Sequence, residues 1–221
     1  MDNFFSYFTI GFSTLLPLIN PVGSALIFMG LVGPADHAVY KRLARKIAFI
    51  TVLFLLTVDL VGSFVLRFFG VSLPVVEVAG GLVIASMGWH LLNEPDSSAA
   101  IPEDKPLHTL EALDARVFYP FTFPITAGPG TVVVMLALAA HAEQPTFTDN
   151  VFSQLGLFAA VLVLCLLIYF AYAYAPTLTR KISPQTTHGI LRIISFLLLA
   201  IGVQIFWRGA DKLLQGLLHG H

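Results

Sequence analysis

The residues best suited to bind a small polar ligand stand in two matching segments of the sequence. Residues 17–24 are PLINPVGS and residues 124–131 are PITAGPGT, so each has a proline, five residues, a glycine and a small hydroxyl residue. Proline removes a backbone donor and glycine permits conformations that other residues resist, so the pattern predicts a broken helix. The first half of such a helix ends in free carbonyls and the second half begins with free amides. A zwitterion can use both groups.

The candidate substrate-binding residues therefore come from the two predicted breaks. They are Asn20, Pro21, Gly23, Ser24, Thr126, Gly128, Pro129, Gly130 and Thr131. Their polar side chains can either cap the backbone or contact a ligand, and both roles stay open. The alternative is a pair of proline kinks, because proline and glycine are frequent in membrane helices. Gln204 is a further candidate, whose amide would face this site or bond another helix.

Asp59 is an ionisable residue within an apolar run. Thr51, Asp59, Ser63 and Arg67 are spaced by multiples of four and so share one helix face. A carboxylate in a membrane span is costly and is by default a functional candidate. Asp59 is therefore predicted to couple transport to a proton or a sodium ion. The alternative is a carboxylate that Ser63 or a neighbouring helix satisfies.

These residues lie in or next to runs long enough to cross a membrane. The chain is 57% hydrophobic and 11% charged, with a mean hydropathy of +0.83. About six apolar runs approach the roughly 20 residues that a membrane helix needs: 4–32, 46–69, 72–92, 118–140, 152–176 and 190–210. They are too long and continuous for barrel strands. The predicted fold is all-α, a polytopic bundle of six transmembrane helices.

An internal repeat divides the chain into two halves. The offset of 107 that aligns the two breaks also carries 45–69 onto 152–176, and an offset of 114 carries Gly88 onto Gly202. Three helices per repeat place the second copy in the membrane with opposite topology. The sequence therefore predicts two inverted three-helix repeats, residues 1–92 and 117–221, joined by a polar cytoplasmic linker, 93–116. Secondary transporters use this architecture, with a substrate site near the midplane.

The basic residues predict an orientation. Nine Lys and Arg residues fall in or beside the odd-numbered loops and three on the opposite side. The positive-inside rule then puts the odd loops in the cytoplasm and both termini outside. We expect a multi-pass protein of the cytoplasmic (inner) membrane of a prokaryote.

Composition and motifs argue against other functions. The net charge of −1 gives no basic face for nucleic acid. Cys165 is the single cysteine, and the seven histidines show no pair at metal-ligand spacing, so neither a metal site nor a cofactor is predicted. An intramembrane enzyme is an alternative, although Gly11-Phe-Ser13-Thr14 lacks the second glycine of a nucleophile elbow. A passive channel is another, although no ring of charge is evident.

Two features of the third run are predicted to be structural. Gly81, Ala85 and Gly88 form a small-residue face that indicates close helix packing. Glu77 follows Pro74 in the first turn of the third predicted helix, where a carboxylate complements the helix dipole.

Several of these motifs resemble the MarC family of membrane proteins. The resemblance is carried by Asn20-Pro21, by Thr126-Ala-Gly-Pro-Gly-Thr131, by Ile201-Gly-Val-Gln204 and by Ala79-Gly-Gly-Leu82, and it spans nearly the whole chain. The family belongs to a wider group of LysE-type exporters and includes members described as transporters of small neutral amino acids. The resemblance implies a secondary transporter of such solutes, with its site at the two broken helices. Membrane lipid is the other expected partner, and the oligomeric state is left open.

Overall fold

The structure is a computed structural model that describes residues 2–93, 110–177 and 184–218. These ranges are helical, with no strand among them. The α-helices are α1 (Asp2–Ile19), α2 (Pro21–Val32), α3 (His37–Phe68), α4 (Leu73–Leu92), α5 (Leu110–Ala115), α6 (Pro129–Ala142), α7 (Phe147–Ala173) and α8 (Pro184–Leu218). Between α5 and α6 lies a π-helical segment, Val117–Thr126, called the π segment below. The prediction of an all-α protein is confirmed.

The number of membrane spans is four or five within the described ranges. Four stretches are long and apolar enough to cross a membrane: Asp2–Val32, Leu73–His90, Phe147–Ala173 and Arg192–Leu217. The π segment and α6 form a bent pair that supplies a fifth if the two are one span. Helix α3, which contains most of the predicted second run, is 32 residues long, and the first third of its sequence is rich in basic residues. The six-span bundle of two inverted repeats stays a prediction.

Both segments with the proline and glycine pattern interrupt a helix. Helix α1 ends at Ile19 and α2 begins at Pro21, so one residue, Asn20, separates them. The second interruption is much stronger, because the π segment and α6 meet at an angle of 71°. Two residues before prolines, Tyr119 and Phe123, have extended backbone within the π segment. Proline disfavours helical backbone at the residue before it, which accounts for this irregularity.

Helix α7 packs one of its faces against several other helices. It lies along α1, α2 and α3, and α3 also packs against α6 and the π segment. The largest fully buried side chains of the described core include Phe28, Phe121 and Tyr172. Phe28 stacks on Tyr172 with ring centroids 4.5 Å apart and meets Phe121 edge to face. These rings fill the space between the two interrupted helices.

Helices α4 and α8 form an antiparallel pair in close backbone contact. A Cβ atom on Gly81 would lie 2.3 Å from the Phe206 nitrogen, and one on Gly88 would lie 2.5 Å from the Leu199 nitrogen. On the other helix, a Cβ atom on Gly202 would lie 2.3 Å from the Ala85 nitrogen. Only glycine fits where two backbones approach this closely. The predicted packing face of Gly81, Ala85 and Gly88 is confirmed.

The predicted linker lies mostly outside the described residues, which resume at Leu110. Its last part forms α5, which Asp114 ties to α3. Asp114 pairs with Arg42, and its Oδ1 lies 2.8 Å from the Lys46 ammonium. The Lys46 hydrogen bond, with the charges of both basic side chains, lowers the pKa of Asp114.

Candidate functional site

Asn20 holds the first interruption in place. Its backbone is left-handed, with φ 44° and ψ 68°, a region that asparagine tolerates better than most residues. The Gly23 amide donates to Asn20 Oδ1 at 3.1 Å, and the Ser24 hydroxyl donates to the Asn20 carbonyl at 2.8 Å. A Cβ atom on Gly23 would lie 2.2 Å from Asn20 Nδ2, so the Asn20 side chain occupies that space. Asn20, Gly23 and Ser24 therefore build the cap of α2, with Pro21 as its first residue.

Threonine hydroxyls stabilise the irregular backbone of the second interruption. Pro120 and Pro124 lack amide donors. The hydroxyl of Thr122 donates to the Val117 carbonyl at 2.9 Å, and the hydroxyl of Thr126 donates to the Phe121 carbonyl at 2.6 Å. Each hydroxyl thus satisfies a carbonyl five residues earlier. Thr126 is fully buried, and its hydroxyl proton is donated to the backbone.

Tyr172 of α7 connects the two interruptions. Its hydroxyl lies 2.7 Å from the Thr126 hydroxyl of the second interruption, and its ring stacks on Phe28 of α2, the helix that begins at the first interruption. Thr126 donates its proton to a backbone carbonyl, so it accepts from Tyr172. A buried tyrosine on α7 therefore contacts the segments at both helix breaks.

A cavity of about 50 Å³ lies beside the start of α6. Its lining from the second interruption includes Pro124, Ile125, Gly128, Gly130 and Thr131. The apolar remainder of the lining comes from three other helices: Leu18 of α1, Ile84 and Met87 of α4, and Leu198 of α8. The cavity thus lies between the α4–α8 pair and the rest of the bundle.

The polar part of the cavity is the first turn of α6. Gly128 precedes this helix, Pro129 begins it, and Gly130 and Thr131 follow. The first amides of a helix have no partner inside it, and they carry partial positive charge. The Thr131 side chain is 1% exposed, and its hydroxyl has no hydrogen-bond partner among the described residues. Buried hydroxyls are normally bonded, so this one is a candidate ligand contact.

Asp59 lies apart from the cavity lining, on α3. It is 8% exposed, and its Oδ1 has no partner among the described residues. Thr51 is buried on the same helix and donates its hydroxyl proton to the Ile47 carbonyl. Arg67 is exposed and pairs instead with Glu143 at 3.7 Å. The side-chain environment of Ser63 lies outside the described part of the structure.

The structure brings only part of the predicted site together. Gly128, Gly130 and Thr131 line the cavity, whereas Asn20, Pro21, Gly23, Ser24, Thr126 and Pro129 shape the backbone beside it without lining it. Gln204 is an exposed residue of α8 outside the cavity lining. Sequence reasoning missed Tyr172 and the apolar lining from α1, α4 and α8. A tyrosine inside an apolar run was the available signal for Tyr172, since its hydroxyl needs a partner there.

Comparison with known proteins gives a consistent family match. A family model described as "MarC family integral membrane protein" matches residues 5–214. The "UPF0056 inner membrane protein MarC" of Escherichia coli O139:H28 is 27% identical over 221 residues, covering 97% of this chain and 99% of the relative. The protein of the same name from Shigella flexneri gives the same identity and coverage. No solved structure matches the chain significantly.

Proposed function

This chain belongs to the MarC family of integral membrane proteins, and we propose that it is a secondary transporter of small neutral amino acids in the inner membrane. The proposed site is the cavity at the start of α6, and the proposed mechanism is alternating access around it. The name of the relatives, which describes them as inner membrane proteins, supports the location.

The unpartnered Thr131 hydroxyl is the observation that carries this proposal. It lies with the Gly130 backbone in the lining of a cavity that reaches the first turn of α6. Amides at a helix start bind carboxylates, because their hydrogen-bond donors and the helix dipole both favour negative charge. The ligand's carboxylate would accept from these amides and from the Thr131 hydroxyl.

The rest of the cavity supports a small and uncharged side chain. Leu18, Ile84, Met87 and Leu198 contribute apolar surface, and none of the lining residues in the described ranges is acidic or basic. The cavity volume is about 50 Å³. Because one water molecule needs roughly 10–15 Å³ of such cavity volume, the space corresponds to a few non-hydrogen atoms. Pockets for drug-sized ligands are several times larger. Glycine, alanine and serine fit this description better than a drug does.

The position of the cavity supports alternating access. Its walls belong to two groups of helices, the tightly packed α4–α8 pair and the group that contains α1 and α6. Contacts within the pair are reciprocal: Gly88 lies against Ser195 and Leu199, and Gly202 lies against Gly81 and Ala85. The offset of 114 carries Gly81, Ala85 and Gly88 onto Ser195, Leu199 and Gly202. Each glycine therefore contacts the repeat equivalents of the residues that the other glycine contacts, as expected for an inverted repeat. A small rotation of one group against the other would open the cavity to one side.

Asp59 is the proposed ion-coupling residue. A carboxylate that is 8% exposed and has one oxygen without a described partner is costly when ionised. Binding a proton or a sodium ion would remove that cost. Because α3 packs against α6, the helix that begins at the cavity, a change at Asp59 can bias the movement of α6.

Transport by purified protein in proteoliposomes tests the proposed function. Labelled glycine, alanine and serine should show saturable uptake and counterflow, whereas lysine, glutamate and a hydrophobic drug should not. Flux that neither saturates nor shows counterflow would indicate a channel. Hydrolysis of a lipid or peptide by the purified protein would indicate an enzyme. Equal and negligible flux of every solute would contradict the proposal.

A matched pair of variants locates the site. In Gly130→Ala the new methyl lies 3.0 Å from Ile84 Cγ1, inside the cavity lining, and in Gly11→Ala it lies 2.9 Å from Leu157 Cδ2, away from the cavity. Both glycines are buried, so the two substitutions introduce similar crowding. Gly130→Ala should raise the KM for alanine roughly tenfold and that for glycine less, because one methyl fills space that the substrate needs. Gly11→Ala should change neither KM.

A further inference from the structure

A cluster of three ionisable residues lies at the opposite end of α6 from the cavity. Glu77 of α4 is buried, with 2% of its side chain exposed. The Lys212 ammonium of α8 lies 3.1 Å from both Glu77 carboxylate oxygens. His141 of α6 completes the cluster, with its Nε2 3.3 Å from Lys212 Nζ and 3.8 Å from Glu77 Oε1. Glu77 therefore has specific partners on two other helices. The prediction that it lies in the first turn of its helix is wrong, because α4 begins at Leu73 and Glu77 lies past the first turn.

The hydrogen bonds of His141 identify its neutral tautomer. Its Nδ1 lies 2.8 Å from the Ala137 carbonyl oxygen, which can only accept, so Nδ1 carries a proton. In the neutral ring Nε2 is then an acceptor, and it receives a hydrogen bond from the Lys212 ammonium. Adding a proton to Nε2 removes this bond and places two positive charges 3.3 Å apart. The Glu77 carboxylate, 3.8 Å from Nε2 and already paired with Lys212, offsets this shorter-range repulsion only in part. The neutral and protonated rings thus have opposite interactions with Lys212.

The bond between His141 and Lys212 joins the two groups of helices that surround the cavity. Glu77 and Lys212 both belong to the α4–α8 pair, where a Cβ atom on Gly209 would lie 2.6 Å from the Pro74 carbonyl oxygen. His141 belongs to α6, on the other side of the interface. It is eleven residues from Gly130, or about 16 Å along the helix. Separation of the two groups at this end requires His141 to leave Lys212.

We infer that Glu77, His141 and Lys212 form a proton-binding site, with His141 Nε2 as the atom that takes the proton, and that proton binding releases α6 from the α4–α8 pair. The His141 and Lys212 side chains are 41% and 37% exposed, so protons from outside the bundle can reach them. After α6 is released, the salt bridge between Glu77 of α4 and Lys212 of α8 persists. The role of this movement in solute passage rests on the proposed function, whereas the movement itself does not.

Charged or titratable side chains of neighbouring helices that contact this end of the bundle have partners of their own. Tyr7 of α1 donates to the His141 carbonyl, Arg67 of α3 pairs with Glu143, and Asp211 of α8 bonds Gln215. Among the side-chain types in the cluster, histidine is the one that ordinarily changes charge between pH 5 and 8.

The ion pairs of Asp114 do not titrate in the same range. Its folded pKa is below its unfolded value, so its stabilisation is present above that unfolded value, about 4, and is lost only as the pH falls through the lower folded one. The α3–α5 contact is therefore constant between pH 5 and 8.

Distance measurement between spin labels tests the inference without requiring transport. In a Cys165→Ala background, which removes the single cysteine, labels are attached at Thr146→Cys, in the short loop that joins α6 to α7, and at Leu214→Cys, on exposed α8 surface. Pulsed electron paramagnetic resonance in lipid nanodiscs at pH 8 and pH 5 should show a mean distance longer by about 2 Å or more at pH 5, the scale of helix shifts at interfaces.

Two histidine variants provide the comparison. His141→Gln keeps an acceptor for Lys212 but takes up no proton, so its distance should be the same at both pH values and equal to that of the parent at pH 8. His90→Gln, at the opposite end of α4, should keep the response. An unchanged distance in the parent at pH 5 would overturn the inference even if His141→Gln failed to fold. A response that persists in His141→Gln would also overturn it. Loss of transport with an intact pH response would count against the proposed function alone.

Discussion

The hydroxyls of Thr126 and Tyr172 lie 2.7 Å apart, and both side chains are fully buried. The Thr126 proton goes to the Phe121 carbonyl, so Tyr172 is the donor between them. Because the Tyr172 ring also stacks on Phe28 of α2, one side chain of α7 contacts the segments at both helix breaks. The two breaks are therefore connected through α7.

Tyr172→Phe should weaken the fold modestly and loosen this connection. The substitution keeps the ring that stacks on Phe28 at 4.5 Å and removes only the hydroxyl, so about 1 kcal/mol of stability should be lost. Thr126→Val should cost more, roughly 1–3 kcal/mol, because it leaves the buried Phe121 carbonyl without that donor. Unfolding in detergent measures both. In the double variant the two losses should be less than additive, and full additivity would show that the hydroxyls do not interact.

A second-site experiment tests the cap of α2. Gly23→Ala should displace the Asn20 side chain, since the new methyl would lie 2.2 Å from Asn20 Nδ2, and loss of the cap should cost about 1 kcal/mol. Asn20→Gly keeps the left-handed backbone and should cost only a few tenths of a kcal/mol. Gly23→Ala should therefore be tolerated in the Asn20→Gly background. Equal destabilisation by Gly23→Ala in both backgrounds would contradict this geometry.

The local features of this fold were predictable from sequence. The interruptions follow from proline and glycine in residues 17–24 and 124–131, because these residues restrict the backbone wherever they occur. A close helix contact on α4 follows from Gly81 and Gly88, because small residues on one helix face allow two backbones to approach, although the identity of the partner helix, α8, does not. In each case the signal lies within one helix.

The distant contacts were not predictable by the same reasoning. Tyr172 is 46 residues from Thr126, and Lys212 is 135 residues from Glu77. Alignment of the two repeats does not indicate a role for Tyr172, because the offset of 107 aligns it with Val65, which has no polar group in its side chain. The apolar cavity lining is equally hidden, since Leu18, Ile84 and Leu198 resemble lipid-facing residues in the sequence.

Asp59→Asn tests the proposed coupling site. The amide has nearly the same shape but takes up no proton, so gradient-driven accumulation of substrate should be lost while counterflow, which needs no gradient, should continue. Uptake and counterflow in the same proteoliposomes separate the two activities. Asp114→Asn, at a carboxylate that pairs with Arg42 and Lys46 on α3, is the control and should retain both. Normal accumulation by Asp59→Asn would exclude a coupling role.

A reporter fused after His221 tests the orientation. The distribution of nine basic residues against three predicts both termini outside the cytoplasm. A reporter that is active only in the cytoplasm should therefore be silent there, and one that is active only outside should report. Strong cytoplasmic activity would refute this orientation, and it would agree with an odd number of spans, as in a five-span arrangement that starts outside, or with both termini inside.

Ligand protection of the Thr131→Val variant tests the cavity most directly. Valine has nearly the same shape as threonine and lacks the hydroxyl, which has no described partner and so contributes no bond to the unliganded fold. Without ligand, Thr131→Val should unfold at the parental temperature or slightly above it. Alanine should raise the unfolding temperature of the parent, because a ligand that binds the folded state stabilises it. This protection should be lost or strongly reduced in Thr131→Val and retained in Gly11→Ala. Full protection of a well-folded Thr131→Val protein by alanine would contradict the placement of the substrate site at the start of α6.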